Sequence, residues 1–169
     1  LPSGPSYPTE NYQRAVTAAL HEARRQVIIT TPYFIPDEPL LQAVQIAAMR
    51  GVDVVLIVPS RCDQKLVGAA GRAYYEDILR AGAQLYLFEK GLLHAKTVSV
   101  DDKIAVIGSS NFDIRSFVLN FELSLLVYGP EATQELRDKQ LSYLEHSRQL
   151  TLTQWRKRPR MVRLGQNIA

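Results

Sequence analysis

From Glu10 to Arg25 the apolar residues Tyr12, Val16, Ala19, Leu20 and Ala23 recur at helical spacing, which predicts a first helix. Val27-Ile28-Ile29-Thr30-Thr31 is a β-branched run stopped by Pro32, and predicts a short buried strand. Asp37 to Arg50 reads as a second helix, with Leu40, Leu41, Val44 and Ala48 on one side and Gly51 as its stop. Val52 to Val58 is a continuous apolar strand closed by Pro59, Leu66 to Ala81 a third helix ended at Gly82, and Ala83 to Phe88 another strand. The order so far is α-β-α-β-α-β, the rhythm of parallel crossovers with helices laid on a sheet.

The rhythm then changes. Lys96–Val100 and Ile104–Ile107 are two strands joined by Asp101-Asp102-Lys103, a hairpin-like connection. Phe121–Tyr128 is a further strand, and Pro130–Ser147 a closing helix with proline in its first turn. The expectation is an α/β fold with a mixed, mostly parallel β-sheet flanked by helices on both faces. At 169 residues the chain can bury one core, and no run of about 18 apolar residues is available to span a bilayer. The single cysteine, Cys62, rules out an internal disulfide.

Net charge is +3, yet its distribution says more. Every acidic residue lies at or before Glu145; beyond it stand Arg148, Arg156, Lys157, Arg158, Arg160 and Arg163. The body is therefore acidic and the tail basic, which points to an anionic partner for the tail. Trp155 among these cations reads as an interfacial anchor on anionic lipid, or equally as part of a solvated end.

The candidate chemistry sits in Leu92-Leu93-His94-Ala95-Lys96-Thr97-Val98-Ser99-Val100-Asp101. In extended chain, residues two apart project to one side, so His94 and Lys96 point together. An imidazole beside an ammonium is a poor pairing unless an anion sits between them. Gly108-Ser109-Ser110-Asn111 follows the next strand and offers backbone N–H groups, hydroxyls and an amide. Alone it is as readily a polar turn; next to His-x-Lys it suits the wall of a phosphate cradle. No nucleotide-binding glycine loop, no nucleophile elbow and no metal-ligand spacing is present, so neither metal nor cofactor is expected.

His94-x-Lys96-x4-Asp101-x6-Gly108-Ser109-x-Asn111 resembles the signature of the phospholipase D superfamily. The similarity is strongest to bacterial cardiolipin synthases with two such motifs, and to their second, C-terminal catalytic domain. It runs through Thr30–Pro36, Arg50–Val54, Phe88–His94, Asn111–Ser116 and Leu119–Glu122 into Trp155 and Arg158-Pro159. The resemblance implies phosphatidyl transfer between two phosphatidylglycerol molecules through a phosphohistidine. One motif's histidine attacks phosphorus while the other's protonates the leaving alcohol. It makes His94 nucleophile or general acid–base, Lys96 and Asn111 phosphate ligands, and Ser109 a weaker ligand. It assigns Asp101 to support of the imidazole, although strand spacing does not bring the two together. Glu122 becomes an orienting carboxylate near the site, or else a strand-end salt bridge. Tyr33 and Phe34 read as core, with a substrate passage as the other option, and Asp113 with Arg115 as a local structural pair.

Only one motif is present: His21 and His146 are not followed by x-Lys and a spaced Asp. Residues 1–9 read as a linker, 10–148 as the catalytic domain and 149–169 as the basic tail. The expected partners are phosphatidylglycerol, an anionic membrane surface, and the first phospholipase D domain of the same parent chain or a second copy. The expected location is the bacterial inner membrane for the parent chain, with this piece itself soluble. Two other readings stay open: a homodimeric single-motif endonuclease of the superfamily, and an inactive membrane-surface module. Nucleic acid is the less favoured partner.

Overall fold

A computed structural model describes residues 1–7 and 9–158. In chain order the elements are β1 (Pro2–Ser3), α1 (Asn11–Glu22), β2 (Gln26–Thr30), β3 (Phe34–Ile35), α2 (Glu38–Met49), β4 (Asp53–Pro59), α3 (Lys65–Ala73), α4 (Tyr75–Arg80) and β5 (Gln84–Phe88). There follow β6 (Thr97–Val100), β7 (Ile104–Gly108), β8 (Phe112–Asp113), α5 (Ile114–Val118), β9 (Glu122–Tyr128), α6 (Pro130–Leu144), β10 (Ser147–Leu150) and α7 (Leu152–Arg156).

Eight strands form one sheet in the order β1-β9-β7-β6-β2-β4-β5-β10. The sheet is mixed, as expected, but parallel pairing is confined to β2–β4 and β4–β5; every other neighbouring pair in it is antiparallel. The parallel strands are apolar without alternation because both faces are covered. Val27 and Ile29 of β2, with Val54, Leu56 and Val58 of β4, face the helical layer of α1, α2 and α4. Ile28, Val55 and Ile57 face the opposite way, against Phe88, Leu93 and the α6 residues Tyr143 and Leu144.

Local chemistry sets the helix ends. Asp37 caps α2 by accepting the Leu40 N–H at 3.2 Å, and Gly51 at φ +87° turns the chain out of it. The expected single helix over 66–81 is two helices, broken at Tyr74. The break lets Tyr74 set its ring edge-on to Phe34 and Tyr75 pack on Trp155. Gly71 permits the approach, since a Cβ there would stand 3.1 Å from the Phe34 carbonyl oxygen.

Two short edge strands were not legible in the sequence. Within the stretch read as a linker, Pro2–Ser3 pairs with β9, and the Leu1 amino group donates to the Ser124 carbonyl at 2.8 Å. Ser147–Leu150, straddling the expected tail boundary, pairs antiparallel with β5. Trp155, expected at a lipid interface, is 6% exposed, packed on Tyr75 with the Arg158 guanidinium over its ring. That ring belongs to the core and cannot insert into a bilayer while the fold stands. Arg160 and Arg163 of the basic tail lie outside the described residues. Among the described residues no helix is long and apolar enough to cross a membrane.

Candidate active site

Open parallel sheets present their sites at the carboxyl ends of the strands. The ends of β2, β4 and β5, and the segment entering β6, meet here. Thr30 pairs with Thr97, which fixes the preceding residues His94 to Lys96 at that edge. The ladder runs one residue beyond the strand, the Gly108 N–H donating to the Lys96 carbonyl at 3.2 Å. Beneath, the fully buried Gln140 donates to the Ile28 carbonyl at 3.0 Å and the Thr97 hydroxyl at 3.1 Å, and accepts from Ser99 at 2.6 Å. A side chain of α6 thus ties the residue after Lys96 to the floor of the sheet.

His94 is exposed, with its ring edge-on to Tyr33 at 6.4 Å between centroids. Lys96 is half-buried and its ammonium donates to the His94 main-chain carbonyl at 2.9 Å. The Lys96 ammonium thus folds back onto the His94 main chain, while the His94 ring faces Tyr33. Burial lowers the Lys96 pKa from its ordinary value, while Glu122, Asp113 and Asp63 pull it back upward. Those carboxylates come from β9, β8 and the loop after β4. Asp63 accepts the Tyr33 hydroxyl on both oxygens, at 2.8 and 2.9 Å. Burial first, and then this carboxylate, push the Tyr33 phenol up to about 12.

The small-residue turn forms the opposite wall. Ser109 exchanges hydrogen bonds with the Leu123 backbone, its hydroxyl accepting the N–H at 3.0 Å, so its oxygen serves the β7–β9 junction. Asn111 donates to the Ser116 hydroxyl at 3.1 Å, while its buried amide oxygen has no partner. Ser116 in turn donates to Asp113 through its N–H at 2.9 Å and its hydroxyl at 3.0 Å. Asp113 thus caps α5 and is not paired with Arg115, as the sequence suggested. The two-stranded ladder of β3 with β8 sets Phe34 against Phe112, and so brings Tyr33 beside Asn111. Between them opens a cavity of about 460 Å³ lined by Tyr33, Ile35, Val67, Asn111, Ile114 and Arg115, among others.

Asp101 lies elsewhere. Val100 pairs with Val27 at the amino end of β2, so Asp101 stands roughly 16 Å along the strand from Lys96. Its carboxylate, 5% exposed, accepts the backbone N–H groups of Arg24 at 3.1 Å, Arg25 at 2.8 Å and Gln26 at 3.0 Å. Burial alone would raise its pKa; the three hydrogen bonds outweigh that and hold it below the usual carboxylate value. The structure therefore sets the His94 ring beside Tyr33, puts Lys96 within reach of the Glu122 charge, lines one cavity with Tyr33 and Asn111, turns Ser109 onto the backbone, and separates Asp101. Sequence reasoning missed Asp63 and Gln140. Asp63 could have been found by its place in the polar loop after a parallel strand, and Gln140 by its place on the apolar stripe of Thr133 and Leu136.

The domain model described as cardiolipin synthase, PLD-like domain, matches residues 16–142. Cardiolipin synthase A of Proteus mirabilis is 44% identical over 99% of this chain, and a cardiolipin synthase of Clostridium perfringens 38% identical over 98%. The chain spans 35% of the length of each. Among solved structures, a phospholipase D family member, Nuc, from Salmonella typhimurium superposes with a TM-score of 0.71 at 21% identity, covering 82% of this chain and 90% of its own. Phosphatidylserine synthase of Haemophilus influenzae superposes with a TM-score of 0.75 at 20% identity, covering 99% of this chain and 43% of its own. The fold is thus of the phospholipase D kind. Within that class, the chain belongs to the cardiolipin synthase PLD-like domain family.

Proposed function

We propose that this chain supplies one half of a phosphatidyl-transferring active site that makes cardiolipin from two phosphatidylglycerol molecules. The observation that carries the reading is an exposed imidazole, His94, edge-on to Tyr33, which itself lines one cavity with Asn111, while the Lys96 ammonium is held on the His94 main-chain carbonyl. Neutral histidine is a competent nucleophile near neutral pH, and fixed donors around phosphorus favour the charge of the transition state. In the first step a nitrogen–phosphorus bond forms as the bond from phosphorus to the glycerol oxygen breaks, and that oxygen takes a proton from the second motif's histidine. In the second step the acceptor's hydroxyl returns the proton to that histidine and its oxygen displaces the phosphohistidine.

The second motif comes from another phospholipase D-like half in the same parent chain. Two features support it. Three carboxylates act on Lys96, so its charge is largely offset before an anionic diester arrives. Beside Glu122 lies an uncovered apolar face: Ile107, Leu119, Phe121, Leu123 and Leu125 are 44–71% exposed. Leu123 and Leu125 alternate along β9, so one side of that strand has no layer over it. Set against phosphatidylglycerol vesicles, the parent chain is expected to form cardiolipin and its His94→Ala variant none, while this chain alone, diluted and monomeric, is inactive. Turnover by the lone monomer, or cardiolipin from the His94→Ala parent, would overturn the proposal. Cleavage of plasmid DNA by a dimer of this chain would favour the endonuclease reading instead.

A further inference from the structure

An acceptor that is itself a lipid phosphodiester brings a second negative charge to the site. Whatever holds the first phosphate, the second stands one glycerol bridge away. The structure offers a cation in the cavity lined by Tyr33, whose ring stands edge-on to His94. Arg115 is exposed on α5 and lines the same cavity as Asn111, together with Gln64 and Asn120. Its guanidinium makes no hydrogen bond or ion pair among the described residues, Asp113 being taken up by Ser116. An arginine without such a partner, in a cavity whose apolar lining is Tyr33, Ile35, Val67 and Ile114, is placed to meet an anion whose attached chain is apolar.

We infer that this cavity is the acceptor subsite, with Arg115 binding the phosphodiester of the second phosphatidylglycerol and the apolar walls receiving the glycerol–acyl part beside it. The inference rests on the phosphatidyl-transfer reading and assigns acceptor choice to a named residue. Water competes for the phosphohistidine at every turnover, and an arginine that holds the lipid alcohol in place tips that competition. Asn120 and Gln64 can add neutral hydrogen bonds to the same phosphate. Asp113 lowers the affinity of the cavity for anions, which makes the arginine the more necessary.

The test uses the parent chain and its Arg115→Gln and Arg115→Lys variants on phosphatidylglycerol in mixed micelles. Three products are followed: cardiolipin, phosphatidic acid from water, and labelled phosphatidylglycerol formed by exchange with labelled free glycerol. Exchange reports the donor half alone, because its acceptor is neutral. Arg115→Gln should raise the apparent KM for cardiolipin formation about tenfold, the weight of one charge-assisted hydrogen-bonded contact. It should shift product toward phosphatidic acid and leave exchange unaltered, with Arg115→Lys recovering part of the loss. A parallel fall in all three products, or an unchanged cardiolipin to phosphatidic acid ratio, would overturn the assignment. A parent chain that neither exchanges glycerol nor makes cardiolipin would instead remove the transfer reading beneath it.

Discussion

Replacing Asp101 by alanine separates the two roles open to the third member of the His-Lys-Asp set. Its carboxylate receives three backbone N–H groups where the α1–β2 connection meets the β6–β7 turn. Arg24 and Arg25 are exposed, so water replaces part of their loss; Gln26 is half-buried, and water replaces less. At about 1 kcal/mol for each exposed bond and about 2 for the third, the hydrogen bonds come to about 4 kcal/mol. Asp101 also sits at φ +51°, a left-handed geometry that costs alanine about 1 kcal/mol more than glycine. Asp101→Ala should therefore lose about 4–5 kcal/mol of unfolding free energy in urea, and Asp101→Gly about 1 less. Asp101→Asn keeps an oxygen for Arg25 and Gln26 and should lose about 2. The carboxyl's folded pKa is depressed, so its contribution is complete above the unfolded value of about 3.9 and fades as pH falls through the folded one. The gap between wild type and Asp101→Ala should accordingly narrow below about pH 4. In the parent enzyme, kept where the variant remains folded, kcat should stay within about threefold of wild type. A loss of under about 1 kcal/mol joined to a hundredfold fall in kcat would refute the argument and restore a catalytic Asp101.

Gln140→Leu leaves the Ile28 carbonyl and the Ser99 hydroxyl without their buried partner, and should cost about 3 kcal/mol in the same urea titration; a neutral result would mean the helix shifts to satisfy them. Trp155 is the single tryptophan, so intrinsic fluorescence reports it alone: emission should be blue-shifted and shielded from acrylamide without lipid, and unmoved by anionic vesicles. A blue shift only on adding vesicles would return that ring to the membrane.

The parallel half of the fold was legible because continuous apolar runs of β-branched residues admit few alternatives to strands buried on both faces. Val27–Thr30 and Asp53–Val58 lie within a residue of where the pattern put them. The antiparallel rim was less legible. Ser147–Leu150 is polar and pairs along one edge only, and Pro2–Ser3 is too short for any period to register. Neither announces itself in side-chain chemistry, because what fixes each is backbone pairing to a strand distant in sequence. The helix over 66–81 is broken at Tyr74, whose ring meets Phe34 while Gly71 lies under the Phe34 carbonyl, contacts no local pattern contains. At the site, His94 and Lys96 lie on the irregular segment that leads into β6 and not on the strand that the spacing argument assumed. Their ammonium-to-carbonyl bond, the Tyr33–Asp63 link and the distance to Asp101 depend on loops meeting at the sheet edge, which only tertiary structure shows.

The central claim is that His94 and Lys96 present one place for a phosphodiester. Imidazole carbon–proton NMR spectra of this chain resolve three histidines, His21, His94 and His146, during titration with glycerophosphoglycerol, a diester without acyl chains. The account predicts a saturable shift of the His94 ring alone, lost in Lys96→Ala. Equal movement of all three rings, or a His94 signal that stays fixed while the ligand saturates elsewhere, would contradict it.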